Sequence, residues 1–284
     1  QGAYLGAVVG RVANRLGFGR FTLEGKTYQL PCNLDSHHLH GGPMSFSRTL
    51  WHGEPLVDQR GPAVRFTHDS PTGEDGYPGD LSVVVDYVLD DLDALHVEFK
   101  AVAHQATIVN LTHHAYFNLS DAATIDAHEI SVDSSEILET NADGMPTGSL
   151  ISVEGTPLDL RQFQVIGKRL ESTFPSLVRK GGFDHTYVFT DPGGHLTPVA
   201  VLRCHDTGIM LQVDTNQPSL QLYTGQYMAD TPCGRGEVYP ARAGVCLEPQ
   251  GYPDAPNHSH FPNISVPSGG LYRSTIVYRF LPTR

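Results

Sequence analysis

The chain has 284 residues, of which 39% are hydrophobic and 18% charged, and its formal net charge is −12. That charge, with no run of Lys or Arg, argues against nucleic acid or any other polyanion as partner. No apolar stretch approaches the ~20 residues of a membrane-spanning helix, so the chain reads as soluble and cytoplasmic, with no membrane partner. It carries 29 glycines and 20 prolines, a turn-rich profile that fits many short strands better than long helices. The expectation is an all-β fold. Four cysteines, Cys32, Cys204, Cys233 and Cys246, show no C-x-x-C spacing and read as reduced thiols. The first residue is Gln1 and not Met, which suggests a processed or trimmed chain or a fragment.

In chain order, the first clear elements are two short strands in FTLEGKTYQL (Phe21 to Leu30), turned at Gly25. The breaker run DGYPGD (Asp75 to Asp80) is followed by strand patterns at Leu81 to Leu89 and Leu95 to Ala103. In the second, Leu95, Val97, Phe99 and Ala101 alternate with His96, Glu98 and Lys100, the signature of a strand with one wet face. A helix is predicted over Leu160 to Leu170, with Asp159 as its cap and Gln162 in a box-like position. Strands follow at Ile209 to Val213, Leu220 to Tyr223 and Ile276 to Phe280. With no repeat and no linker, the pattern predicts one domain of antiparallel strands with few short helices, a large sandwich, with a closed barrel as the alternative.

Polar residues concentrate in GRVANR (Gly10 to Arg15), HHLHGG (His37 to Gly42), LTHHAYFNL (Leu111 to Leu119), GGFDHTYVF (Gly181 to Phe189) and VCLEPQGYPDAPN (Val245 to Asn257). If Val109 to Leu119 is extended, His113 shares a face with Val109, Leu111 and Phe117, and His114 shares the other with Asn110, Thr112 and Tyr116. The same sorting puts Glu248 with Cys246, Gln221 with Tyr223, and His38 with His40 opposite Leu39. A sheet face lined in this way suits a polar, uncharged ligand. Each residue also has a plainer reading: a lone histidine is more often a surface or satisfied buried group than a catalyst, and Arg11 and Arg15 can simply pair with carboxylates.

His38-x-His40 begins like a metal site, but no acid follows before Glu54, so the carboxylate ligand is lacking and no metal is expected. There is no G-x-S-x-G elbow and no Gly-rich phosphate loop. Acid–base chemistry by a carboxylate and an imidazole remains. One reaction needing only these groups is the opening and reclosing of a cyclic hemiacetal, with no cofactor.

GRVANR, LHGG (Leu39 to Gly42), DGYPGDL, VNLTHHAYFNL, GGFDH, LQLYTG (Leu220 to Gly225) and CLEPQGYPDAPN, in that order over nearly the whole chain, resemble the galactose mutarotase, or aldose 1-epimerase, family. The resemblance implies a large antiparallel β-sandwich that binds a monosaccharide across an open sheet face without metal or cofactor. It implies Glu248 as the base that takes the C1 hydroxyl proton and His114 as the acid that protonates the ring oxygen. His40 would be a supporting proton donor. Asn14, Arg15, Asp184 and Gln221 would hydrogen-bond the sugar hydroxyls, those to Arg and Asp being charge-assisted. The chain departs from the family pattern at His113 and at Pro249 beside Glu248, where a backbone donor is lost, and it starts just ahead of GRVANR, where family members carry further strands that are expected to be missing here. A hexose-6-phosphate 1-epimerase would need more basic residues than Arg11, Arg15 and Arg20; a non-catalytic carbohydrate-binding module would not need His114 and Glu248. Monomer and homodimer are both compatible with the sequence.

Overall fold

Period-two alternation builds two sheets in the computed structural model, which describes residues 3–190, 194–234 and 236–283; Gln1 lies outside them. The larger sheet has nine antiparallel strands, in the order Gln164–Val165, Glu129–Val132, Thr197–Cys204, Ile209–Thr215, Leu271–Pro282, Ala94–Ala103, Leu81–Leu89, Gly61–Ser70 and His52–Asp58. Val97, Phe99 and Ala101 point inward and are fully buried. The intervening Glu98 and Lys100 face outward into an ion-pair ladder, in which Arg65 and Lys100 both meet Asp86, at 2.7 and 3.2 Å. The predicted alternation holds for Val97 to Ala101, and Leu81–Leu89 has its expected bounds, but His96, expected on the wet face, is buried with Nε2 2.7 Å from Asp90.

The second sheet has six antiparallel strands, in the order Tyr116–Phe117, Val245–Gln250, Ser219–Tyr223, Asp184–Val188, Glu136–Thr140 and Pro146–Ser152. Its inner residues Tyr187, Leu220, Leu222, Val245 and Leu247 join Val85, Phe99, Leu211 and Tyr278 of the larger sheet in one core. Each such side chain contributes roughly 1.5–3 kcal/mol by leaving water. The two sheets form an open sandwich, and neither closes into a barrel. A smaller cluster of Val12, Leu16, Phe21, Leu30, Tyr77, Tyr252 and Phe261 includes the hairpin predicted at Gly25, observed as Arg20–Leu23 paired with Lys26–Gln29. Among the described residues no helix is long and apolar enough to cross a membrane.

The helix predicted over Leu160 to Leu170 is corrected. Asp159 does not cap it; its carboxylate holds Arg161 at 2.9 and 2.7 Å, and Gln164–Val165 pairs as an edge strand with Glu129 and Ile130. Helix covers only Ile166–Leu170. A local Asp–Arg bond and a β-branched Val165 outcompete the helical pattern. Pro175–Lys180 is a second short helix that the reading missed, although a proline at its start and Gly181 in the left-handed region at its end (φ 69°) were sequence signals for it.

Arg11 is also not the surface residue it resembles. Its guanidinium is buried and donates to the carbonyls of Pro78 and Gly79, both at 2.8 Å, and to Ser70 and Thr107. Loss of hydration lowers its pKa to about 10. It thus ties the GRVANR loop to the breaker loop at Asp75 to Asp80, a role that requires buried carbonyls to find a donor.

Candidate active site

Register on the outer face of the six-stranded sheet aligns the polar residues in rows. Tyr116 lies opposite Cys246, Cys246 opposite Tyr223, and Tyr223 opposite Asp184. One step along, Glu248 lies opposite Gln221 and Gln221 opposite Thr186. Strand spacing of about 4.8 Å brings these side chains into contact across the sheet. Thr186 donates to Gln221 Oε1 at 2.6 Å, which turns the Gln221 amide nitrogen to donate to Asp184.

His114 arrives from a different pairing. Val109 to Leu119 is not one strand: Thr112–His114 pairs with Ala7–Val9, and after Ala115 the chain changes partner so that Tyr116–Phe117 pairs with the Glu248 strand. The predicted separation of the two histidines survives this break. His113 packs between the sheets against Tyr87 and Tyr278, with ring centroids 5.7 and 5.9 Å away, and His114 faces the outer side. The rest of the predicted polar row is corrected. Asn110 and Thr112 bind the backbone of Gly251 and the carbonyl of Pro249, so they brace the Glu248 strand and leave Tyr116 and His114 for a ligand. The Pro249 carbonyl points toward Thr112, and within a strand the N and C=O of one residue share a side. The missing donor therefore lies away from the Gln221 strand, and that ladder is intact.

HHLHGG is likewise split. His38 is a satisfied interior histidine, with Nδ1 2.7 Å from the Pro31 carbonyl and Nε2 2.7 Å from the Tyr77 hydroxyl, and burial holds it at about 4. It cannot share a site with His40 as alternation predicted, because His40 has left the strand with φ 51°. The turn is fixed at Gly41, where an added Cβ would lie 1.8 Å from the Gly10 carbonyl. The backbone N–H of Asn14 donates to His40 Nδ1 at 3.2 Å, so the neutral ring carries its proton on Nε2 and offers a donor. Asn14 itself takes φ 62°, a conformation asparagine tolerates, and its Oδ1 accepts from the Arg15 backbone at 2.9 Å.

These pieces enclose a cavity of about 330 Å³, at the small end of the range for small-molecule sites, and every predicted site residue lines it: Asn14, Arg15, His40, His114, Asp184, Gln221 and Glu248. His114 Nε2 is 3.7 Å from Glu248 Oε1, and both side chains are almost wholly buried. Glu248 Oε2 has no hydrogen-bond partner among the described residues. Burial drives both groups toward neutrality. Desolvation, aided by the charge of Asp184, raises Glu248 well above the carboxylate range, and desolvation lowers His114 to about 4. His40 is lowered by burial and by His114 beside it. Asp184 behaves oppositely: burial would raise it, but Arg15, 3.5 Å away, and Lys180 hold it low and ionised.

Two neighbours escaped the sequence reading. The Tyr4 ring lies 4.8 Å from His40 and 5.7 Å from His114, roofing both imidazoles. It precedes the first strand, where no periodicity marks it. Lys180 is buried, donates to the Asp184 carbonyl, and is brought to about 8 by desolvation against the pull of Asp184. Its position directly before GGFDH was the available signal.

Sandwich and cavity together describe a class: a small polar pocket laid across one sheet, floored by a carboxylate and an imidazole. The aldose 1-epimerase family model matches residues 1–279. The chain is 42% identical to galactose mutarotase from Rattus norvegicus over 98% of its own length and 79% of that protein's, and 32% identical to aldose 1-epimerase from Escherichia coli over 99% and 81%. The crystal structure of an aldose epimerase homologue from C. elegans superposes with a TM-score of 0.88 at 30% identity, covering all of this chain and 84% of that one. The chain belongs to the aldose 1-epimerase family, and it is an isomerase of the mutarotase type.

Proposed function

We propose that the chain interconverts the α and β anomers of free aldohexoses, galactose and glucose among them, with Glu248 as base and His114 as acid. The single observation behind this reading is the 3.7 Å approach of His114 to Glu248 at the buried floor of the cavity. The C1 hydroxyl oxygen and the ring oxygen are bonded to the same carbon, so the groups that serve them must be near neighbours. Glu248 takes the hydroxyl proton as His114 delivers one to the ring oxygen; the aldehyde turns about C1–C2, and the transfers reverse on closure.

The pair then needs only one proton throughout. Burial holds the resting pair as carboxylic acid and imidazole; passing that proton from Glu248 to His114 gives the reactive carboxylate and imidazolium, and ring opening returns the pair to its neutral form. Burial disfavours the separated charges, which helps drive the opening step. His40 Nε2 supplies a second donor, and Asn14, Arg15, Asp184 and Gln221 hold the hydroxyls. Of Arg11, Arg15 and Arg20, only Arg15 lines the cavity, where it faces Asp184, which favours a free sugar over a sugar phosphate. In polarimetry, freshly dissolved α-galactose should relax faster with the protein than without it. Relaxation at the spontaneous rate with folded protein would refute the proposal.

A further inference from the structure

At the floor of the cavity and just behind it lies a group with the composition of a metal site. His114, Cys246 and Glu248 each present one ligand atom, and the three atoms lie within 4.8 Å of one another in buried surroundings. Cys246 Sγ is 3.5 Å from His114 Nδ1. Atoms bound to tetrahedral zinc at about 2.0–2.3 Å are roughly 3.3–3.8 Å apart, so Cys246 Sγ and His114 Nδ1 have the span of a chelate, while Glu248 Oε1, 3.7 Å from the other ring nitrogen Nε2, joins them by turning toward Nδ1. The second, independent observation is Glu248 Oε2, a carboxylate oxygen on a 2% exposed residue with no hydrogen-bond partner among the described residues. Cys246 and Glu248 stand two apart on one strand, which puts both on the same face beside His114.

We infer that this floor binds a thiophilic divalent cation such as zinc through Cys246, His114 and Glu248, and that the bound ion inhibits the enzyme. Thiolate, imidazole and carboxylate form a donor set suited to zinc, whereas magnesium and calcium prefer oxygen alone. Three protein ligands leave the fourth position toward the cavity for a water, where the ion and a bound sugar exclude each other. On binding, the Cys246 thiol releases its proton to solvent, the imidazole lone pair goes to the ion, and the carboxylate is no longer free to accept a proton. The inhibitory half rests on the roles proposed for His114 and Glu248; the binding half does not.

Two readouts separate these halves. Cobalt(II) added to the chelator-treated, unmutated chain should give a near-ultraviolet thiolate-to-cobalt charge-transfer band that saturating galactose suppresses. Cys204→Ser should keep the band, and Cys246→Ser should lose it. In polarimetry, zinc at about ten times its dissociation constant should slow the wild type roughly tenfold, chelator should restore it, and magnesium should do nothing. Cys246→Ser should still turn over and resist zinc. The inference is overturned if wild-type protein gives no thiolate band, or if Cys246→Ser remains fully zinc-sensitive; the first result needs no variant to fold. Absence of mutarotation in metal-free wild type would instead defeat the proposed function, leaving the cobalt spectrum to decide the metal site.

Discussion

Glu248→Gln should make the protein more stable and less active at once. Glutamine keeps the shape of the side chain and cannot ionise. In the folded chain burial raises the carboxyl well above its ordinary value, while in the unfolded chain it titrates normally. Below about pH 4 both states are protonated and ionisation contributes nothing. As pH rises, the unfolded state ionises first, and native stability falls until the folded value is passed. Each unit of upward shift is worth about 1.4 kcal/mol, and 1 kcal/mol moves Tm by roughly 2 °C in a chain of this size. The Tm advantage of Glu248→Gln should therefore be near zero at pH 4 and at least roughly 2 °C at pH 8, read by thermal melts across that range. Mutarotation should fall by about 10²- to 10⁴-fold, the usual worth of a general base. A variant that melts below the parent at pH 8, or that retains its rate, would refute the reasoning.

His114→Asn should lose a similar factor in polarimetry, while His113→Asn, confined between Tyr87 and Tyr278, should keep most activity and lose some stability. Asp184→Asn removes a charge-assisted bond worth roughly 1.5 kcal/mol or more, and initial rates should show KM rising at least about tenfold with kcat less affected. Arg11→Met leaves the Pro78 and Gly79 carbonyls without their donor. Its denaturation midpoint should report a loss of about 1–3 kcal/mol for each carbonyl left unsatisfied, and a near-neutral result would mean water replaces the guanidinium.

The strands were legible because alternation is a local property: Leu81–Leu89 and the register of Glu98 and Lys100 follow from side-chain chemistry alone. The choice of His114 over His113 was legible for the same reason. His38 and His40 were not separable, because alternation assumes an unbroken strand and the left-handed residue His40 ends it. Arg11 misled because an arginine in a polar motif looks exposed, and only tertiary structure brings the carbonyls of residues 70–79 around it. Asn110 and Thr112 lay on the predicted face, but a face says nothing about which members are consumed by the neighbouring strand.

The partner switch at Ala115 has a kinetic consequence. Glu248 is held within a six-stranded sheet, whereas His114 is held by only three register positions, Ala7 to His114, Val8 to His113 and Val9 to Thr112. The two members of the proposed proton relay therefore belong to units of unequal resistance to opening. Amide exchange should be faster at Val8 and His114 than at Leu247 and Gln221. Heat or denaturant should then silence the enzyme by fraying the acid away from the base while the sandwich is still folded.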